Sequence, residues 1–149
     1  MKFILTSELG RLAKWLRILG FDAEYYNSAN IGTLIIRALR DNRMIIARRK
    51  QIGSLKVVIV ESNKVKEQMK ELIKKIDLKV NESSMFTRCV ICNELIKPVS
   101  KEEVKGKIPA YVSETQQNFY LCGNCGRIYW QGSHWGNARR YIEEIAQRI

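Results

Sequence analysis

The chain is poor in the residues that most often announce a site. Among 149 residues there are one histidine, two prolines and four cysteines. The histidine, His134, has no nucleophile partner visible in the sequence, so it is expected to pack or hydrogen-bond at a helix start rather than serve as a base. Two prolines and no Ser/Gly tract leave nothing that reads as a loose tether, so any two parts of the chain should pack on each other. No internal repeat is present. No run approaches the ~20 apolar residues of a membrane-spanning helix. Residues 1–6 are interrupted too soon, by Glu8 and Arg11, to form a secretory signal, and a cytoplasmic protein is expected. The most telling shortage is of acid: 15 Asp and Glu stand against 26 Lys and Arg, a net charge of +11. A surplus of this size favours an anionic polymer or membrane surface over a merely solvated basic face. Three Trp and six Tyr add groups able to stack on bases and point to nucleic acid.

What is present begins with the cysteines. All four stand in two C-x-x-C pairs, Cys89/Cys92 and Cys122/Cys125. Each tight turn offers two sulfurs and a tetrahedral ion needs four, so one structural Zn²⁺ is expected, closed to substrate and acting to fold its module. Gly123 and Gly126 suit the left-handed backbone of a metal-binding knuckle. Two disulfides are the competing arrangement, disfavoured by an intracellular setting. A thioredoxin-type redox motif would need only one pair beside a βαβ unit.

Residues 2–6 read as a buried strand. Ser7 is placed to cap the following helix, with Glu8 in its first turn. Leu9, Leu12, Ala13, Leu16 and Leu19 then recur at helical spacing, and Gly20 ends the run. Arg11, Lys14 and Arg17 share a face of that helix with Trp15 among them. Residues 23–26, 44–47 and 55–60 read as further strands, with helices at 31–41 and 63–76 between and after them. Arg48, Arg49 and Lys50 are the densest positive charge. Alternating strand and helix argues a parallel sheet covered by helices, with ligands at the strands' carboxyl ends. Those ends carry Thr6, Tyr26, Asn27, Arg48, Arg49, Glu61 and Ser62.

The stretch Leu9-Gly10-Arg11-Leu12-Ala13-Lys14-Trp15-Leu16-Arg17-Ile18-Leu19-Gly20-Phe21-Asp22 resembles the opening of the PIN-like RNase family named for the C-terminal domain of the Mut-seven exonuclease. Phe86-Thr87-Arg88-Cys89, Pro98-Val99-Ser100-Lys101-Glu102-Glu103-Val104, Ile108-Pro109-Ala110-Tyr111-Val112-Ser113-Glu114-Thr115, Cys122 to Gly126, and Tyr129-Trp130-Gln131-Gly132-Ser133-His134-Trp135 continue the likeness in register. The resemblance implies a PIN-like α/β domain over 1–80 and a zinc ribbon with a C-terminal helix over 85–149. It also implies carboxylates at strand ends that hold divalent metal for phosphodiester hydrolysis.

The departures from that pattern bear on function. Where the family usually has Asp, this chain has Thr6. It has Arg49 where the third strand's Thr-Arg-Asp would end, no acid in 27–33, and Ser62-Asn63 after the fourth strand. Glu8, Asp22, Asp41 and Glu61 remain nearby but do not match the ligand positions. Arginine in a metal site repels the cation by a few kcal/mol at ~4 Å, yet offers planar donors to phosphate.

In the second part, 95–99, 111–113, 118–121 and 127–130 read as strands. Ser100 and Glu103 form a capping box, and a last helix capped by Ser133 turns Ala138, Tyr141, Ile142 and Ile145 inward. Tyr129, Trp130 and Trp135 suit either base stacking or packing between ribbon and sheet. The expectation is a catalytically degenerate RNA binder, ribosomal or ribosome-associated, that contacts rRNA through Arg11, Lys14, Arg17, Arg48, Arg49, Lys50, Arg139 and Arg140. The alternatives are an active metal-dependent endoribonuclease and a toxin-like or protein-interaction module.

Overall fold

A computed structural model describes residues 1–48 and 57–146. Arg49 and Lys50, and the expected start of the fourth strand, lie outside the described residues. Four parallel strands, β1 (Lys2–Leu5), β2 (Asp22–Tyr25), β3 (Met44–Ala47) and β4 (Val57–Ile59), form a sheet of order β2-β1-β3-β4. Three helices cover it: α1 (Gly10–Ile18), α2 (Ile31–Arg40) and α3 (Val65–Ile76). The alternation of a strand explains the layering. Phe3, Leu5 and Ile46 turn to one face, where they meet Leu12, Leu16, Met69 and Leu72 of α1 and α3. Ile4, Ile45 and Ala47 turn to the other, against Leu34 and Ala38 of α2. Strands buried on both faces read as continuous apolar runs, which is how residues 2–5 and 44–47 look in the sequence.

The first helix does not start as expected. Residues Ser7–Leu9 form a 3-10 turn whose cap is Thr6, without a side-chain hydrogen bond, and Ser7 caps nothing. The turn leaves the sheet so tightly that Leu9 reaches the core before α1 begins. Asn30 caps α2 by accepting from the Thr33 amide at 3.1 Å.

The second part opens with a 3-10 turn, Glu82–Ser84, and carries an antiparallel sheet of β5 (Lys97–Val99), β6 (Phe119–Leu121) and β7 (Ile128–Trp130). Ser100 accepts from the Glu103 amide at the start of α4 (Lys101–Val104), as the capping-box spacing requires. Residues 111–113 are not a strand. They lie in α5 (Ala110–Thr115), where the Pro109 carbonyl accepts from Val112 and Ser113. Proline just ahead of the first turn favours that start, and Val112 uses the helix to reach Phe119 and Val104 in a small separate core.

The last helix, α6 (Ser133–Ala146), returns to the first part. Tyr141, Ile142 and Ile145 join the core formed by α1 and α3, and Tyr141 stacks on Trp15 with ring centroids 4.0 Å apart. The two parts are therefore packed together. Among the described residues no helix is long and apolar enough to cross a membrane.

Candidate functional site

The four cysteines come together. Their sulfurs all lie within 4.8 Å of one another, and no disulfide joins them. Two near-identical turns produce this. In the first, the Asn93 amide donates to the Cys89 carbonyl and the Cys89 amide to Glu94; in the second, Gly126 donates to Cys122 and Cys122 to Arg127, all at 2.8–2.9 Å. The residue after each second cysteine is left-handed, Asn93 at φ 67° and Gly126 at φ 75°. Gly126 thus meets the expectation, whereas Gly123 takes no positive φ and the first turn uses asparagine, the residue other than glycine that best tolerates this region.

The Cys89 and Cys125 sulfurs stand 3.7 Å apart. A disulfide needs about 2.05 Å, whereas sulfurs 2.3 Å from a tetrahedral ion stand about 3.8 Å from each other. The donor set is all sulfur, which fits a soft or borderline metal and leaves no open position for catalysis. Hydrogen bonds converge on the sulfurs. The Tyr129 hydroxyl lies 2.9 Å from Cys89 Sγ, and the Cys92 amide 3.4 Å from it. Asn124 reaches across from the second turn to Cys92 Sγ at 3.1 Å. Burial alone would push the Cys89 thiol up, but the Tyr129 hydroxyl, the Cys92 and Ile91 amides and Cys125 outweigh it and hold the thiol down at about 7. Tyr129, desolvated and bonded to that sulfur, is correspondingly pushed up.

The first turn is docked on the parallel sheet. The Arg17 guanidinium donates to the carbonyls of Ala23 (2.9 Å), Val90 (2.9 Å) and Ile91 (3.1 Å). Asn93 accepts from the Ala23 amide and donates to Asp22 at 2.6 Å, and Asp22 also receives Arg43 at 2.6 Å. Arg17 is buried. This corrects its assignment as a phosphate contact: its donors hold the cysteine turn against α1 and β2. The i, i+3 spacing that placed Arg17 with Arg11 and Lys14 missed this, because the face turns inward where the second part lands.

The carboxyl edge of the sheet is the other candidate site. The chain leaves β1 for β2 on one side and returns to β3 on the other, so the switch point lies between β1 and β3. Thr6 stands there, nine-tenths buried. Arg48 follows β3, and its guanidinium bonds the Glu61 carbonyl and the Asn63 side chain beyond β4. Thr6 Oγ1 and Arg48 Nε are buried without a partner among the described residues. Glu71 reaches this edge from α3, but its two oxygens accept from the Glu61 and Ser62 amides at 2.8 and 3.0 Å and brace the turn. Among the described residues the cysteines are the one group of three or more metal-ligating side chains. Residues 49–56 contain no Asp, Glu, His or Cys.

The remaining candidates are scattered. Arg11 and Lys14 are exposed on the opening turns of α1, which departs from the carboxyl edge. Arg140 is exposed on α6, while Arg139 pairs with Glu82 at 3.0 Å and Glu143 at 3.5 Å. Trp135 stacks on Phe86 with centroids 4.8 Å apart, and Tyr129 serves the cysteine site.

Fold and site together define an α/β domain with a four-stranded parallel sheet, bearing a four-cysteine metal-binding module. The Mut7-C RNAse domain family matches residues 1–142, and the chain belongs to that family. No curated protein and no solved structure matches it.

Proposed function

We propose that this member of the Mut7-C RNAse domain family holds RNA without cutting it. The observation that carries the reading is the composition of the carboxyl edge at the β1/β3 switch point. A phosphodiesterase of this class needs hard oxygen ligands converging on a divalent ion. Here that place holds the Thr6 hydroxyl, the sequence sets Arg49 rather than an acid after Arg48, and Glu71, which reaches the edge from α3, accepts from two backbone amides. Arginine supplies planar donors to a phosphate and repels Mg²⁺. Arg11 and Lys14 would extend the phosphate path, Arg49 and Lys50 would add their positive charge, and Arg140 would add a contact elsewhere. The all-thiolate site fits Zn²⁺ as a structural ion. A small, very basic, zinc-bearing RNA binder suits a ribosome, as a resident protein or an associated cytoplasmic factor.

Purified protein incubated with single-stranded RNA and Mg²⁺ or Mn²⁺ is expected to leave the RNA intact while shifting it in a binding assay. Cleavage that EDTA abolishes would show that the metal site has been rebuilt and that the protein is an endoribonuclease. On a sucrose gradient of native lysate, co-sedimentation with a ribosomal subunit through moderate salt is expected. Confinement to the top fractions would remove the ribosomal assignment and leave the RNA reading standing.

A further inference from the structure

Between the two parts lies a cleft of about 320 Å³ with a largely aromatic lining. Tyr120 and Tyr129 are in-register partners on β6 and β7, so their rings share one face of the ribbon sheet. The stacked pair Phe86 and Trp135 also lines the cleft. Arg88 completes it, its guanidinium held by the Gly20 and Asn93 carbonyls at 3.2 and 2.8 Å. The one acidic group in the lining, Glu82, is paired with Arg139.

We propose that this cleft is a stacking subsite for one unpaired nucleobase. The inference rests on the RNA-binding reading above and adds a place on the molecule and a substrate class, single-stranded rather than duplex RNA. Aromatic rings and an arginine plane are the groups on which splayed-out bases stack. The volume lies at the small end of ligand cavities, about 300–1,000 Å³, and suits one base with its sugar. A chain of net charge +11 draws an anionic strand to it. The subsite is separate from the carboxyl edge: α1 runs back along the sheet from that edge, and Ile18, at its far end, lines the cleft. The first cysteine turn forms part of the wall through Val90, beside Tyr129 of β7 that bonds Cys89, so the metal-binding module shapes the subsite while its sulfurs stay out of the lining.

The test uses full-length, metal-loaded protein and three probes: a twelve-nucleotide single-stranded RNA with one central 2-aminopurine, its duplex, and 2-aminopurine riboside 5′-monophosphate. Binding of the single strand is expected to quench the 2-aminopurine severalfold, with weaker binding and no quench for the duplex. Tyr120→Ala should weaken single-strand binding about 5- to 100-fold, the range for losing one stacked base. Tyr120→Leu, which keeps apolar bulk but no ring face, should weaken it similarly with metal content unchanged. Arg11→Ala should keep the quench while flattening the salt dependence. Equal quenching of the mononucleotide at similar concentration would assign the subsite to a free nucleotide rather than a strand. Salt-sensitive RNA binding without quench, or an unchanged quench in both Tyr120 variants, overturns the subsite and spares the RNA reading. Absence of binding by RNA and mononucleotide alike overturns both.

Discussion

Tyr129 shows what sequence neighbours leave open about a single residue. Beside Trp130 it suits base stacking or packing, and nothing local signals that its hydroxyl lies 2.9 Å from Cys89 Sγ. Groups that bond metal ligands commonly change affinity 10–100-fold when removed. Tyr129→Phe is therefore expected to weaken metal binding about tenfold or more, measured by competition with a chromophoric chelator. The contact lowers the Cys89 thiol toward about 7, so its loss raises that thiol, and metal release on acidification should begin at higher pH. Asp22 supplies a second test with its own sign. Burial raises its carboxyl, but the hydrogen bonds from Arg43 and Asn93 and the charges of Arg43 and Arg88 outweigh it and leave it below the ordinary value. A lowered folded-state value stabilises the protein above the unfolded value of about 4 and is lost as pH falls through the folded one. Asp22→Asn should remove that part of the acid-unfolding dependence, seen as a flatter loss of stability below about pH 4 in denaturant melts. The C-x-x-C spacing was legible because ligand spacing is local; Tyr129 and Asn124 were not, because the fold decides which donor meets which sulfur.

At the scale of elements, strand and helix order was legible wherever burial imposes a period. β1, β3, α2 and α3 fall where apolar spacing puts them, with ends shifted by a residue or two. Residues 111–113 failed because three residues cannot separate period 2 from 3.6, and Pro109 and the small core around Phe119 decided for helix. The junction between α1 and the second part was invisible for a related reason. Gly20 ends the helix, as expected, with φ +91°. It also lies so close to the 3-10 turn at Glu82–Ser84 that an added Cβ would stand 2.1 Å from the Ser84 carbonyl oxygen. The neighbouring Phe86 amide donates to the Ile18 carbonyl at 2.8 Å. Gly20→Ala is thus expected to cost more than about 2 kcal/mol, combining backbone strain with a backbone clash. Thermal melts would read this, and a loss below about 0.5 kcal/mol would show that the connection yields.

At the scale of the whole molecule, the surplus of positive charge and the way it is distributed must be separated. Net charge from the sequence points to an anionic partner but does not say which cations face it. The fold removes Arg17, holding it between α1, β2 and the first cysteine turn, and pairs Arg139 with two glutamates. Arg11 and Lys14 stay exposed on the same helix. Each phosphate neutralised on a single strand contributes about 0.7 to the slope of log affinity against log salt, and about 0.9 on a duplex. Arg11→Ala and Lys14→Ala should each lower that slope by roughly this amount. Arg17→Met, assayed below its melting temperature, should leave the slope unchanged while lowering stability, because three carbonyls lose their donor. If Arg17→Met flattens the slope as Arg11→Ala does, the docking of the cysteine turn must open when RNA binds, and the guanidinium then reaches phosphate. Comparing these substitutions therefore tests RNA contact and the rigidity of the junction in one titration.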